Sequence, residues 1–400
     1  MKRSVSYIIS IIIIFSINKV TQAQSLAYKG QASVWNTLNA DKIDQPQIGL
    51  RYIPSLILEH SVKQSSMFDL NCSLNMYATS GFDEKGTFYE NTRTKAYRVW
   101  LRYSTPQFEA RIGLQKINFG PAALLRSLMW FDRLDPRDPL QITDGVYGFL
   151  LRYYFLNNTN IWFWTLLGND SQKGWEILPS TSSDPEIGAR LQSPVPLGEV
   201  GFTYHQRKVD ISKSVEMIPL FFNSTVSEVP SPEDLQQYYD LHDFNEYRYS
   251  CDGKWDIEIG IWLESALIYR DLDLLPYQYQ QMFTIGADYT LSLGNGLHLM
   301  GEHFFTQYSE EMFGSDQRVD FSAFSLNYPL GLLDNINAIL FYDWDNEELY
   351  RFLQFQRKYD RWSIYCMLYW NPEKFEIYNS VAENSLFTGK GFQIMVVFNH

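Results

Sequence analysis

The densest group of charged side chains lies between Trp130 and Gly145, in the stretch WFDRLDPRDPLQITDG. Asp132, Asp135 and Asp138 could bind Ca²⁺, or they could form ion pairs with the neighbouring arginines. The spacing and the closing glutamate of an EF-hand loop are absent from this stretch. We therefore favour a solvated or arginine-paired cluster, and we expect no metal and no other cofactor.

Histidine chemistry is the second possibility, because a nucleophilic or acid–base mechanism needs a histidine oriented by a third group. The six histidines are His60, His205, His242, His298, His303 and His400. His298 and His303 are five residues apart and would face opposite sides of a strand, and GxSxG does not occur. We do not predict an enzyme. A hydrolase that uses His205 or His298 is kept as a minor alternative.

The elements that carry these groups alternate apolar and polar residues with period two, which is typical of β-strands. In FDLNCSLNM, Phe68, Leu70, Cys72, Leu74 and Met76 share one face. Similar runs occupy residues 95–103, 107–115, 146–154, 185–192, 199–207, 255–264 and 391–398. Their length is close to the roughly 9 to 11 residues that a tilted strand needs to cross a bilayer.

Short and long connections take turns along the chain. Asp252–Gly253 is predicted as a type I′ hairpin, and counting it gives about 18 strands, or 16 if one hairpin is merged. We predict an all-β fold, a transmembrane antiparallel β-barrel with short periplasmic turns and long extracellular loops. A large soluble β-sandwich is the alternative, but it does not require short and long links to alternate.

The composition and both ends of the sequence indicate a protein that is exported from the cytoplasm. Residues 1–23 have the pattern of a signal peptide, with Lys2 and Arg3 before an apolar run, so the barrel would comprise residues 24–400. Aromatic residues form 16% of the chain, as in barrels with aromatic girdles. The alternating last strand resembles an insertion signal for barrel-assembly machinery. A net charge of -13 argues against nucleic acid as a partner.

The inward-facing positions of the predicted strands divide by charge. Early strands would carry a basic arc and later strands an acidic arc, and the resulting field would favour polar solutes. The alternative is that these charges only pair with wall neighbours. The basic arc comprises Arg51, Arg98, Arg102, Arg111, Arg152 and Arg190, and the acidic arc comprises Asp256, Glu258, Glu264, Asp288, Glu302, Asp320 and Asp343.

The charge-dense stretch belongs to the third long loop, Phe119 to Asp144. Two prolines limit the entropy that this loop loses on ordering, and its charges could pair with charges on the wall. Its first part, PAALLRSLMWF, could form a short helical turn. We predict a pore constriction that includes Arg126, Asp132, Arg133, Asp135, Arg137 and Asp138. An outward-facing capped loop is the alternative.

The segment RIGLQKINFGPAALLRSLMWFDRLDPRDPLQITDGVYGFLLRYYF resembles alginate-export-like and porin-like outer-membrane barrels of Bacteroidetes type. The resemblance lies in Gly113, Gln115, Gly120, Asp135-Pro136 and Gly145. It implies a monomeric eighteen-stranded barrel that passes a polar or anionic solute through a gate of inward loops. The mixed basic and acidic arcs differ from the strongly basic interior of alginate exporters, which puts alginate in doubt.

These patterns together predict a channel in the outer membrane of a Gram-negative cell, surrounded by lipid. Polar or charged small solutes, or oligosaccharides, would diffuse passively through its loop-narrowed lumen. The alternative is a non-conducting barrel that serves as a scaffold or export factor for surface polysaccharide or a protein complex. The acidic stretch Ser227 to Glu246 is predicted to be an exposed loop.

Overall fold

The computed structural model describes residues 24–40, 42–63, 65–82, 86–210, 243–272, 277–372, 387 and 389–400. The predicted signal peptide, residues 1–23, lies outside the described residues, and so does most of the acidic stretch from 227 to 246. Within the described part, no helix is long and apolar enough to cross a membrane.

The described residues form a single closed antiparallel sheet. Each strand pairs with its neighbours in sequence, and β1 also pairs with β18, which closes the sheet into a barrel. The predicted antiparallel barrel with about 18 strands is confirmed. The strands are β1 (Gln24–Asn39), β2 (Lys42–Lys63), β3 (Ser66–Phe82), β4 (Phe88–Ser104), β5 (Phe108–Gln115), β6 (Val146–Tyr154), β7 (Asn160–Leu166), β8 (Glu186–Val195), β9 (Gly198–Val209), β10 (Phe244–Asp256), β11 (Gly260–Arg270), β12 (Tyr279–Leu291), β13 (Leu297–Ser309), β14 (Gln317–Pro329), β15 (Asp334–Asp343), β16 (Glu348–Lys358), β17 (Trp362–Trp370) and β18 (Lys390–Asn399).

Side chains alternate between an inner and an outer face along each strand, as the period of two predicts. In β3, Leu74 and Met76 are exposed on the outer face, whereas Ser73 and Asn75 are buried on the inner face. In β11, every second residue from Trp262 to Arg270 is buried. The apolar outer face and polar inner face of β3 are the distribution expected of a membrane barrel, whereas the inner face of β11 also carries the apolar Trp262, Ala266 and Ile268.

The two ends of the barrel differ in the length of the connections between strands. One end, the short-turn end, carries the start of β1, the end of β18 and tight links such as residues 155–159 and 196–197. The other, the long-loop end, carries residues 116–145 and 167–185, together with residues 210 and 243, which flank the connection between β9 and β10. Three connections at the long-loop end are short, however. They join β1 to β2, β3 to β4 and β15 to β16.

The predicted hairpin turn at Asp252–Gly253 is wrong. Both residues lie inside β10, and the chain reverses at residues 257–259, where Asp256 pairs with Gly260. The carboxylate of Asp252 binds Arg190, and Gly253 pairs with Val200 on β9. These cross-strand contacts outweigh the local turn preference of the Asp-Gly dipeptide, so the segment 255–264 contains a turn rather than one strand.

Candidate pore and its inward loops

The loop between β5 and β6, residues 116–145, lies inside the barrel, and we call it the inward loop. Its backbone reaches β11, five strands farther along the wall from β6. There the fully buried carboxylate of Glu264 accepts the N–H groups of Ala122 at 3.0 Å and Leu128 at 2.9 Å. The loop therefore extends from one part of the wall to another.

A second wall carboxylate holds the same part of the loop. Glu302 on β13 accepts the N–H groups of Ala123 at 2.7 Å, Leu124 at 2.9 Å and Leu125. It also accepts the indole N–H of Trp262 at 3.1 Å. Four donors fill the acceptor sites of one carboxylate. We call Glu264 and Glu302 the carboxylate latch.

The latch explains two differences from the sequence-based expectations. Glu264 and Glu302 lie on the inner face, but both are buried under the loop, so a passing solute does not meet their charge. The predicted helical turn is absent, because residues 121–131 form only bends and turns. Their N–H groups bind the latch instead of carbonyls one helical turn earlier.

The charged residues of the inward loop pair chiefly with one another. Arg126 binds Asp132 at 3.0 Å with both side chains buried, and Arg137 binds Asp135 through two nitrogens at 3.0 and 2.8 Å. Ion pairs within the loop thus replace the wall pairing proposed from sequence for Asp132, Asp135 and Arg137. Arg133 Nε donates to the carbonyl of Gly174 at 3.2 Å, which belongs to the next long connection.

Asp138 caps a turn near the end of the charge-dense stretch. Its two carboxylate oxygens accept the N–H groups of Leu140 at 2.9 Å and Ile142 at 3.1 Å. Burial raises the pKa of Asp138 above its usual value, and the two backbone hydrogen bonds oppose that rise. This carboxyl group therefore holds its proton more tightly in the folded loop than in an unfolded chain.

A continuous buried apolar cluster joins the inward loop to the wall. Phe119 stacks against Trp164 with ring centroids 6.1 Å apart. Full burial of one large apolar side chain contributes about 1.5 to 3 kcal/mol, so the loop is held by packing as well as by the latch. The cluster includes Ile117, Leu125, Leu128, Trp130 and Phe131 from the loop and Ile268, Phe304, Phe321, Phe341, Phe352, Met367 and Met395 from the wall.

The connection between β7 and β8, residues 167–185, also enters the barrel, and we call it the second inward segment. Trp175 donates its backbone N–H to Met129 at 3.1 Å and its indole N–H to the Arg126 carbonyl at 2.6 Å. Gly174 has a φ of 45°, and a Cβ there would lie 1.8 Å from the Met129 oxygen. Only glycine allows this approach.

A buried ion network fixes the second inward segment to the wall. Lys173 binds Glu186 at 2.9 Å, and Glu176 binds Arg248 at 2.9 Å and Arg207 at 3.3 Å. The sequence analysis assigned no inward position to this segment, so its contacts with the wall were missed. Its sequence signal is the group Trp175, Ile177 and Leu178, apolar residues placed in a polar stretch.

A water-accessible cationic group of the inner face consists of Arg102, Arg111 and Arg152, which we call the arginine wall. All three approach Glu109, at 3.4, 2.9 and 3.7 Å respectively. Arg102 also binds Asp69 at 2.6 Å. Three cations against two carboxylates leave an excess positive charge. The three side chains are 27%, 15% and 17% exposed, so water reaches them.

Two indole rings lie among these cations. Arg111 is 4.8 Å from the ring centroid of Trp100, and Arg152 is 3.8 Å from that of Trp162. Both distances are within the range of cation–π attraction. The rings restrict the arginine side chains, so the positive charge is held in a defined place on β4, β5 and β6.

The remaining predicted basic residues also lie on the inner face, but their partners differ. Arg190 forms a buried bidentate pair with Asp252, at 2.6 and 2.8 Å. Arg98 donates to the carbonyl and the hydroxyl of Thr143 in the inward loop, both at 2.9 Å. Arg51 lies 5.6 Å from the ring of Trp35 and 5.5 Å from the ring of Tyr77.

The predicted acidic arc does not form as a group. Asp256 and Glu258 are exposed at the short-turn end. Asp320 lies on the outer face, because its neighbour Phe321 is buried inside and its own partners are Arg318 and His303. A slip of one residue in the predicted strand reversed this assignment. Asp343 is buried and accepts N–H groups of the 344–347 turn.

Asp288 remains on the inner face and is partly exposed, 3.9 Å from His298. His298 is on the inner face and His303 on the outer face, as their spacing predicts. His205 is fully buried, accepts the indole N–H of Trp164 at 3.2 Å and lies 3.1 Å from Glu186. These contacts leave His205 without an open side for a substrate.

The fold is similar to those of solved bacterial structures. OccK5 (OpdH) of Pseudomonas aeruginosa aligns with a TM-score of 0.53 and 10% identity over 94% of this chain and 97% of that chain. Acinetobacter baumannii OccAB4 aligns with a TM-score of 0.52 and 8% identity over 96% and 100%. No protein-family model matches the sequence, and no curated protein matches it either.

At these identities the likeness shows the fold alone, which is a closed 18-stranded antiparallel β-barrel. The resemblance to alginate-export-like barrels stays an interpretation of the sequence.

Proposed function

We propose that this chain is an outer-membrane channel through which small anionic or polar solutes diffuse beside the arginine wall. The observation that carries the proposal is the inward loop, which is latched to Glu264 and Glu302 and leaves Arg102, Arg111 and Arg152 partly exposed. A loop held in this way narrows the lumen and keeps its cationic side accessible.

The passage lies between the inward loop and strands β4 to β6. The latch and the apolar cluster fill the space next to β11 to β18, and the same cluster includes Val146 and Leu150 of β6 and Trp164 and Leu166 of β7. With two predicted acidic residues buried under the loop and one outside the barrel, the accessible interior is basic beside β4 to β6 rather than divided into two opposed arcs. Such a surface concentrates anions and speeds their entry.

The chemistry of the arginine wall fits carboxylate or phosphate groups. Guanidinium groups bind both types of anion through paired N–H donors. An entering anion would compete with Glu109, which all three arginines share at distances from 2.9 to 3.7 Å. The long and shared contacts imply weak and reversible binding, which suits conduction.

In this proposal the mature chain lies in outer-membrane lipid as a monomer, inserted by barrel-assembly machinery after removal of residues 1–23. The long-loop end faces outward. Diffusion needs no chemistry, no cofactor and no energy input.

A non-conducting scaffold is the second candidate, and the buried apolar cluster favours it. Fully buried Leu125, Leu128 and Trp130 in a barrel interior are more typical of a packed core than of a wide aqueous pore. If the loops seal the barrel, single-channel recordings will show no conductance.

Planar-bilayer recordings test the proposal. The wild-type protein should conduct with a preference for anions, and deletion of Leu124 to Gln141 should raise the single-channel conductance. A variant with Arg102, Arg111 and Arg152 all replaced by Gln should lose its anion preference in a salt gradient. Arg357→Gln, on the outer face beside Asp334, is the control. Unchanged conductance after the deletion, or unchanged selectivity in the triple variant, would reject the proposed passage.

A further inference from the structure

Three side chains on the outer face form a row across β16, β17 and β18 at the long-loop end. Arg351 pairs with Trp370, and Trp370 pairs with Lys390 in the register of the sheet. Their sequence neighbours Tyr350, Phe352 and Tyr369 are buried inside, so the row faces outward. All three members are exposed, Trp370 by 56%.

The two cations approach the same indole ring. The guanidinium carbon of Arg351 and the ammonium nitrogen of Lys390 each lie 5.2 Å from the ring centroid of Trp370. The two charges are therefore within about 10 Å of each other. Among the described residues, no carboxylate forms an ion pair with either of them. By contrast, the outer-face Arg318 binds Asp320 at 2.6 Å.

The position of the row along the strands is equally informative. Two residues closer to the short-turn end, the outer face presents Leu353, Leu368, Phe392 and Leu38, which pair across β16, β17, β18 and β1. The cations thus stand at the edge of an apolar band, and Trp370 is the last residue of its strand. Tryptophan and basic residues at such a boundary meet lipid head groups.

We propose that Arg351, Trp370 and Lys390 bind the phosphate of a membrane lipid in the leaflet at the long-loop end. Two cations with no ion-pair partner in the described part of the chain complement a phosphate, the indole ring lies at the head-group boundary, and the leucine and phenylalanine row contacts the acyl chains. This inference rests on the proposed membrane location, but it does not depend on whether the barrel conducts.

Native mass spectrometry of the full chain with lipid A bisphosphate tests the site. Two charges near a head group give an expected loss of roughly 30-fold in lipid retention for the Arg351→Gln, Lys390→Gln double variant. Arg318→Gln, an exposed outer-face arginine with a carboxylate partner, should retain the lipid as the wild type does. Dephosphorylated lipid A should be retained weakly by all three proteins.

Two results would overturn the proposal. One is equal retention by the double variant and the wild type. The other is displacement of the lipid by millimolar inorganic phosphate, which would identify a site for the free anion. Heat-induced mobility shifts on gels show that each variant is folded. Conductance of the double variant should equal that of the wild type, so failure of the lipid site and failure of the channel proposal give different results.

Discussion

Ala123 donates its backbone N–H to the carboxylate of Glu302 at 2.7 Å, although 179 residues separate them in sequence. This contact connects the third long loop to a distant wall strand. A loop that would otherwise project outward is held inside the barrel, and the size of any passage depends on such contacts.

Removing the charge of Glu302 should release this part of the loop. In Glu302→Gln an amide N–H₂ group would face the backbone N–H groups of the loop, and two donors cannot form a hydrogen bond. Each hydrogen bond to a charged group that is lost contributes about 1.5 to 3 kcal/mol. We expect a loss of about 2 to 4 kcal/mol in unfolding free energy, and larger or noisier single-channel currents. Urea unfolding in detergent and bilayer recordings measure the two effects.

Asp288→Asn is the matched control for this substitution. Asp288 lies on the inner face of the adjacent strand β12 and is close to His298 rather than to the inward loop. Removing the charge of Asp288 should change neither the unfolding free energy nor the noise of the single-channel current appreciably. Equal effects of the two substitutions would mean that the latch does not hold the loop.

Gly174→Ala should separate the second inward segment from the inward loop. The new Cβ would lie 1.8 Å from the Met129 carbonyl oxygen at a φ of 45°. Gly168→Ala also places alanine at a positive φ, 78°, but in open space. The strain of positive φ alone costs about 1 to 3 kcal/mol. Gly174→Ala should therefore lower the melting temperature more than Gly168→Ala, and equal shifts would contradict the close packing.

Arg190 and Asp252 should show strong coupling in a double-mutant cycle. Their bidentate pair is buried, and removing one partner leaves an uncompensated buried charge that costs about 3 to 5 kcal/mol. Arg190→Ala and Asp252→Ala should each be strongly destabilising, whereas the double variant should lose less than the sum. Additive losses in unfolding free energy would show that the two side chains act independently.

Asp138 should make stability depend on pH. Burial raises its pKa in the folded protein, so the folded state binds the proton more tightly than the unfolded chain. The favourable contribution is complete below the unfolded pKa of about 4 and is lost as pH rises through the folded value. The unfolding free energy of the wild type relative to Asp138→Asn should fall by at most about 1.4 kcal/mol per pH unit.

Unfolding from pH 3 to 8 in urea measures this difference. Asp144→Asn changes an exposed carboxylate of the same loop that binds Lys95 at 2.7 Å, and it serves as the control. If the difference between the wild type and Asp138→Asn does not change with pH, burial of this carboxyl group has no energetic consequence.

Much of the fold could be read from the sequence because the relevant signals are local. Alternation from Phe68 to Met76 fixes which side chains meet lipid and which face inward, and it requires no knowledge of other strands. Counting connections also placed residues 119–144 in the third long loop. The arginine wall followed from the same alternation in β4, β5 and β6.

The sequence could not reveal contacts whose strength depends on distant partners. Asp252–Gly253 has the composition of a hairpin turn, but pairing with β9 and the Arg190 contact extend the strand through it. Asp320 was assigned to the wrong face, because a shift of one residue in the predicted register of a strand moves every side chain to the other side.

The sequence by itself determined an 18-stranded wall with an apolar exterior and basic residues along the early strands. These features follow from the alternation of apolar and polar residues within each strand. Only the tertiary structure decided which inner charges remain accessible. Glu264 and Glu302 bind loop amides, whereas Arg102, Arg111 and Arg152 share Glu109 in reach of water. The physical reason is that hydrogen bonds and burial between residues far apart in sequence arise only when the barrel closes.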